Sequence, residues 1–334
     1  MTTEIYTYAS VSNGLVFDQQ HDLLGSGTVG EVFRAEIRTG NRSQVFALKR
    51  FLNRPQRDDF DNEKAVLDAL ASTRHRHITY YLFAWTALNA QYLLFPLATG
   101  DLKTFLNKTP PPESLRAVEN CIFEQMLGVC DAIKYTHEHI VIAADGQRAK
   151  RLGFHHDLKP ANILLFENVS EPLGTWKLCD FGSGTVDFFD TEATAEIYNR
   201  KASTGDKVYS APEYLVEGRV SRSKDIWSLG CIFLEVFVWA QSHEIGEVMR
   251  FREARSISNP GSSNSAVYWA IDAQKKPYIN PAVARVLQYL QRPCSGAEVS
   301  LSILQVIGNM LCVEASHRPT AEDVCKSLQS LKGN

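Results

Sequence analysis

The sequence predicts an α+β chain of two lobes, a small β-rich N-terminal lobe and a larger α-helical C-terminal lobe. Three observations carry this. Short apolar runs bounded by glycine and polar residues fill the first ninety-odd positions, with one helical pattern among them. Long stretches with apolar residues at helical spacing fill the rest. The 334 residues exceed one typical core, and a hydrophobic content of 44% is enough to bury a sizeable one. We therefore divide the chain into an N-terminal extension (1–15), an N-lobe (16–97) and a C-lobe (98–334). A cleft between two lobes is a common ligand site.

In chain order, Val16–Leu24 and Glu31–Ile37 read as strands flanking a glycine-rich turn, a hairpin. Asp58–Ala71 reads as a helix, with Phe60, Leu67 and Leu70 on one face. Val45–Phe51 and Tyr92–Leu97 read as further strands. The C-lobe helices are Leu115–His137, Ser223–Ala240, Ala297–Val313 and Ala321–Leu331. The most apolar run, Leu229–Ala240, is too short to span a bilayer and contains Glu235, so it reads as a buried core helix. Asn259-Pro260-Gly261 and the serines after it mark an exposed loop.

Composition narrows the function classes. A net charge of −3, with both signs mixed along the chain, gives no nucleic-acid arm. Met1–Ser12 is polar, which predicts no signal peptide, and no run predicts a membrane span. Seven cysteines without a C-x-x-C pair predict free thiols in a reducing compartment, the cytoplasm, without excluding the nucleus. Oligomeric state has no signature.

Leu24-Gly25-Ser26-Gly27-Thr28-Val29-Gly30-Glu31-Val32 has the pattern G-x-G-x-x-G-x-V. Glycines let backbone N–H groups approach phosphate oxygens with no Cβ in the way. Alone, the pattern suits a plain hairpin turn as well. In dinucleotide folds a helix follows it, whereas here Val32-Phe33-Arg34-Ala35 favours a strand. Val45-Phe46-Ala47-Leu48-Lys49 is an apolar strand ending in lysine. That lysine could simply reach solvent. Glu63, however, shares the inward helical face of Phe60, Leu67 and Leu70, and a carboxylate there needs a partner. Lys49 is the natural candidate.

His155-His156-Asp157-Leu158-Lys159-Pro160-Ala161-Asn162 precedes the apolar Ile163-Leu164-Leu165, and Leu178-Cys179-Asp180-Phe181-Gly182 follows. With these motifs the chain resembles the eukaryotic protein kinases of serine/threonine type, from about Val16 to about Leu331. The resemblance implies the bilobal protein kinase-like fold and transfer of the γ-phosphate of ATP to a protein hydroxyl. It also implies Mg2+, with Mn2+ as a substitute, and a protein substrate. Asp157 then resembles the aspartate that orients the hydroxyl and accepts its proton, and Lys159 the lysine that steadies the moving phosphate. Asn162 and Asp180 resemble the metal ligands, and Glu63 the residue that holds Lys49 against the phosphates. Leu24, Gly25, Ser26, Gly27 and Gly30 would cover the nucleotide. Val32, Ala47 and Leu164 would sandwich the base. The hinge would be Phe95-Pro96-Leu97-Ala98, with Leu94 as gatekeeper, the Leu97 backbone at the adenine and Asp101 beside the site.

The resemblance extends to structural motifs. Ala211-Pro212-Glu213 is similar to the end of an activation segment. Asp225 resembles the residue that anchors the catalytic-loop backbone. Arg318, in His317-Arg318-Pro319-Thr320, is expected to pair with Glu213. Glu235 and Asp101 are weak hints of a preference for basic substrates.

Four features depart from the pattern. His156 replaces the usual arginine, and Asp206 stands where a threonine is usual. The link at 140–152 is long and reads as a solvated insertion with a tight turn at Asp145-Gly146. Cys179 reads as an inert packed thiol. His156 and Asp206 keep open an alternative, a pseudokinase serving as a nucleotide-binding scaffold or interaction module.

Overall fold

A computed structural model describes residues 5–331, except 7–14, 17–21, 28, 40, 52–58, 72–73, 88–89, 139–140, 145–146, 184, 189–197, 200–206, 218, 260–265 and 292–297. The N-terminal part is an antiparallel sheet. Its order is Ile5–Tyr6, Leu15–Val16, Gly30–Thr39, Arg42–Phe51, Ala90–Pro96 and Phe83–Ala87, and Leu23–Ser26 also pairs with Gly30–Thr39. The strand expected over Val16–Leu24 is thus two pieces, and residues 17–21 between them lie outside the described residues. Both pieces pair with the same long strand.

Helix α1 (Asp59–Leu70) buries Phe60, Glu63, Val66, Leu67 and Leu70, the face its periodicity marks. Asp59 and Asp61 occupy its first turn, where the helix dipole favours negative charge.

The C-terminal part is helical. Helix α2 (Leu102–Lys108) starts at Asp101, whose side chain accepts from Thr104 N at 2.9 Å as an N-cap. Helix α3 spans Leu115–Glu138 and α4 Pro212–Glu217. Helix α5 (Arg222–Ala240) is the axle: Ile226 to Phe237 are all buried, and α3, α6 (Glu247–Ile257), α7 (Pro281–Leu290) and α8 (Glu298–Met310) pack around it. A helix apolar all round belongs inside. Helix α9 (Ala321–Leu331) closes on α3. Sequence reading missed α2, α4, α6 and α7. The last had a local signal, Asn280 capping Ala282 N at 2.9 Å with Pro281 in the first turn. Among the described residues no helix is long and apolar enough to cross a membrane.

The segment read as a solvated insertion forms strands. Val141–Ala144 pairs with Gln147–Lys150, across a two-residue connection that lies outside the described residues. The second strand runs on, and Arg151–Phe154 pairs with Thr185–Phe188. The same strand thus leads into His155 and Asp157 and braces the chain that leaves Asp180. The loop expected from Asn259 onward begins where residues 260–265 leave the described set.

Candidate active site

Lys49, eighth residue of Arg42–Phe51, faces α1. Its Nζ donates to Glu63 Oε2 at 2.5 Å and to Asp180 Oδ1 at 2.9 Å. Glu63 is 1% exposed and Lys49 8%, whereas the Asp180 side chain is 38% exposed. A cation held by two carboxylates in a dry place stays charged. Burial alone would lower the ammonium of Lys49, but Asp180 and Glu63 outweigh it and hold it above its ordinary range. The Lys49 charge in turn holds the Asp180 carboxyl below its usual range. Burial pushes Glu63 up to about 7 against the pull of Lys49.

Gly182 completes this corner. A Cβ there would stand 2.8 Å from Glu63 Oε2, so only glycine lets the chain pass the Lys49–Glu63 pair. Asn62 Nδ2 donates to the Gly182 carbonyl at 3.2 Å, tying α1 to the segment. Phe181 is fully buried against the His155 ring, 4.7 Å between centroids. His155 Nε2 donates to the Cys179 carbonyl at 2.9 Å, fixing the residue before Asp180. Asp180 itself takes φ +62°, a left-handed conformation that surrounding contacts must enforce. Burial pushes the Cys179 thiol far up, which agrees with an inert packed side chain.

The loop at Asp157 is held as a unit. Lys159 Nζ donates to Asp157 Oδ2 at 2.7 Å. Asn162 Nδ2 donates to the Asp157 carbonyl at 2.8 Å and to Oδ2 at 3.2 Å. With its amide nitrogen engaged there, the Asn162 carbonyl oxygen and the exposed Asp180 carboxylate offer the hard oxygen donors that Mg2+ takes. The two residues therefore fit such a cation. Among the described residues no cluster of three His, Cys, Asp or Glu forms an all-protein metal cage.

Asp225, fully buried on α5, accepts from the backbone N–H groups of His155 and His156, each at 3.0 Å, and from His137 Nε2 at 3.0 Å. Burial opposes its charge, but interactions led by the hydrogen bond from His137 outweigh it and keep the carboxyl far below the ordinary carboxylate range. Arg318 grips Glu213 with two bonds of 2.6 Å, as expected, and also donates to the carbonyls of Cys312, Ser223 and Val313.

His156 has φ +66° and stacks on Phe154 at 4.9 Å. Its Nδ1 is shielded from water with no hydrogen-bond partner among the described residues. Burial, then the Lys224 charge, push the imidazole down to about 3, so it is neutral. It cannot take the part of an arginine facing a phosphate. Asp206 lies outside the described residues.

The glycine-rich turn is closed by Gly27 N donating to Gly30 O at 2.9 Å. At Gly30 a Cβ would meet Arg50 O at 2.4 Å, so strand pairing requires glycine there. Gly25 has open space around it, and Leu24 is 53% exposed beside exposed Ser26 and Gly27, a backbone left accessible. Val32 pairs with Lys49, and Ala47 with Phe95, which puts these four residues on one face of the sheet. Leu164 pairs with Asp101 in a separate three-stranded sheet, and Leu97 is half-buried just beyond the strand.

One expected lining residue is corrected. Leu94 pairs with Leu48 and packs with Phe33, Ala35 and Tyr92 on the opposite face. Side chains alternate along a strand, so Leu94 points away from Lys49 and Phe95 is the residue on the Lys49 face. Asp101 is engaged as the α2 cap through both carboxylate oxygens, on Thr104 N and Thr104 Oγ1. The hint from Glu235 also fails. It is fully buried and bonded to Arg252, Arg255, Tyr209 and Tyr268, so no substrate cation reaches it.

Comparison with known proteins agrees with this fold. A family model described as the protein kinase domain matches residues 19–328. The chain is 25% identical over 323 residues to a leucine-rich repeat receptor-like protein kinase of Arabidopsis thaliana, 93% of this chain and 27% of that protein. It is 26% identical over 221 residues to the human cyclin-dependent kinase-like 2, 65% of this chain and 38% of that protein. It is 29% identical over 236 residues to the cell division control protein 2 homolog 3 of Trypanosoma brucei brucei, 69% of this chain and 67% of that protein. The chain thus spans between about a quarter and two fifths of the first two relatives.

Proposed function

The chain belongs to the protein kinase domain family, and on that premise we propose that it transfers the γ-phosphate of ATP to a serine or threonine hydroxyl of a protein. The observation that carries the reading is the assembled chain Glu63–Lys49–Asp180 beside Asp157, Lys159 and Asn162. Lys49 meets phosphate oxygens, held by Glu63 from α1. Asn162 and Asp180 would hold Mg2+, which supplies charge neutralisation across the phosphates. Asp157 accepts a hydrogen bond from the substrate hydroxyl and takes its proton as the new P–O bond forms and the bond between the γ-phosphorus and the β,γ-bridging oxygen breaks, its electron pair leaving with ADP. Lys159, already on Asp157, steadies the transferring group and offsets its charge. The protein's contribution is placement and fixed charge.

Serine/threonine choice rests on Lys159 in Asp-Leu-Lys-Pro-Ala-Asn. The base site rests on Val32, Ala47, Leu164 and Phe95, with the Leu97 backbone at the adenine. We propose the lobe boundary at 97–98, next to that segment. The pseudokinase alternative has its basis in Asp206 and the neutral His156.

The test is transfer of labelled γ-phosphate to a mixed peptide library. Wild type is run beside Asp157→Asn and Asp180→Asn. Label on serine or threonine that each substitution reduces by about 10²–10⁴-fold is the expected result. No wild-type transfer, with ATP still bound, would move the protein to the pseudokinase reading, and label on tyrosine would overturn the specificity.

A further inference from the structure

We propose that Lys224, on α5, is a positioning residue for phosphate transfer: its buried ammonium orients the peptide that joins His156 to Asp157. The inference rests on the kinase reading above. Its starting point is a gap in the sequence. Where the resemblance expects an arginine next to Asp157 there is His156, and its ring is neutral. The loop lacks that cation of its own.

Lys224 brings a cation to this loop from α5. It is 3% exposed, its Nζ donates to the His156 carbonyl, and it lies 4.2 Å from the centre of the Tyr214 ring. The next residue on α5, Asp225, accepts from the His156 N–H at 3.0 Å. Two consecutive residues of one rigid helix therefore take both backbone polar groups of the same loop residue. That residue has φ +66°, a conformation a histidine keeps only when its surroundings impose it. The carbonyl that Lys224 holds belongs to the peptide plane whose nitrogen is that of Asp157, so its direction sets where the Asp157 carboxylate starts.

The charge has reasons to be there. Burial pulls the Lys224 ammonium below its ordinary range, while Asp225, Asp157 and Glu213 draw it back. Glu213 is neutralised by Arg318, and Asp225 holds three hydrogen bonds of its own. Asp157 has Lys159 on its Oδ2, and Lys224 adds a second positive charge near it. A methionine of similar length would pack in this interior without the desolvation penalty of an ammonium. Loss of a purely structural lysine would lower stability alone. Loss of a positioning lysine lowers the rate of transfer while ATP binds as before.

The experiment compares wild type with Lys224→Met, Lys224→Arg and Lys224→Gln, measuring kcat, the KM for peptide and the ATP dissociation constant by calorimetry. Lys224→Met is expected to keep ATP affinity and peptide KM within about twofold and to lower kcat about tenfold or more, an interaction felt in the transition state. Lys224→Arg, which keeps charge and donor, is expected to restore most of kcat. Should Lys224→Met not fold, Lys224→Gln, a neutral donor, is read instead and is expected to lie between wild type and inactivity. A kcat within about twofold of wild type for Met or Gln, or an arginine variant no faster than the methionine one, would overturn the positioning role. If wild type transfers nothing, the kinase reading fails and this role falls with it. If wild type transfers and the variants match it, only the role of Lys224 falls.

Discussion

Two buried ionic clusters in this molecule use the same ingredients to different ends. Around Glu235, Arg252 and Arg255 bring positive charge at 2.6 and 3.2 Å, and the hydroxyls of Tyr209 and Tyr268 fill the remaining acceptor positions. The carboxylate is fully buried and wholly engaged. Burial opposes the Glu235 charge, but Arg252 and Arg255 hold it below its usual range. Around Lys49 the partners are Glu63, equally buried, and Asp180, with 38% of its side chain exposed. The first cluster is closed and pins α6 and the strand residue Trp269's neighbour Tyr268 to α5. The second is left open at one carboxylate. The difference teaches that the same ion-pair chemistry can lock elements together when every oxygen of the carboxylate is engaged, and can present a group to a ligand when one carboxylate stays partly exposed.

The comparison breaks most sharply at Glu235. Glu235→Ala leaves two arginines without their carboxylate, and removing one partner of a buried ion pair costs about 3–5 kcal/mol. Urea unfolding should show that loss directly. A stability change under about 1 kcal/mol would mean that water already serves the arginines.

At the open cluster the expected ranking reverses. Glu63→Gln keeps shape but removes the charge that holds Lys49. Phosphate transfer should drop about 10–100-fold, the worth of one charge-assisted hydrogen bond in the transition state, with a much smaller change in melting temperature. Gly182→Ala approaches the same end by another route, since its Cβ would push the Glu63 carboxylate off Lys49. Transfer equal to wild type in both variants would show that Lys49 needs no support from α1.

The smallest effect concerns His156. Its folded pKa lies near 3, below the ordinary value of about 6.5, so the unfolded chain binds a proton that the folded chain refuses. The folded state is therefore fully favoured above about pH 6.5 and loses stability as pH falls from there toward 3, by about 1 kcal/mol on reaching pH 5.5. His156→Asn should flatten that part of the stability profile; an unchanged slope between pH 7 and 5.5 would place the acid sensitivity elsewhere. Because a neutral ring cannot receive a phosphate, phosphatase treatment should also leave the transfer rate unchanged, and a large loss would show that another cation serves the activation segment.

Much of this was legible in the chain itself. Periodicity marked α1 and the apolar α5, because helix burial repeats every three to four residues whatever the helix packs against. The inward face of α1 paired Glu63 with Lys49, and the resemblance to protein kinases implied Asp157, Asn162 and Asp180 beside them and Glu213 with Arg318. Three things were decided only in three dimensions. The face of the strand that turns Phe95 rather than Leu94 toward Lys49 depends on register, since a shift of one residue exchanges the two sides. The 141–154 segment gains its order by pairing with a strand some thirty residues further on, which its own composition does not announce. Glu235 and Lys224 sit on one apolar helix, and sequence marks neither fate. Whether a buried charge meets two arginines or the backbone of a distant loop depends on what the fold brings to it, because ionic partners are chosen by position in space and not by distance along the chain.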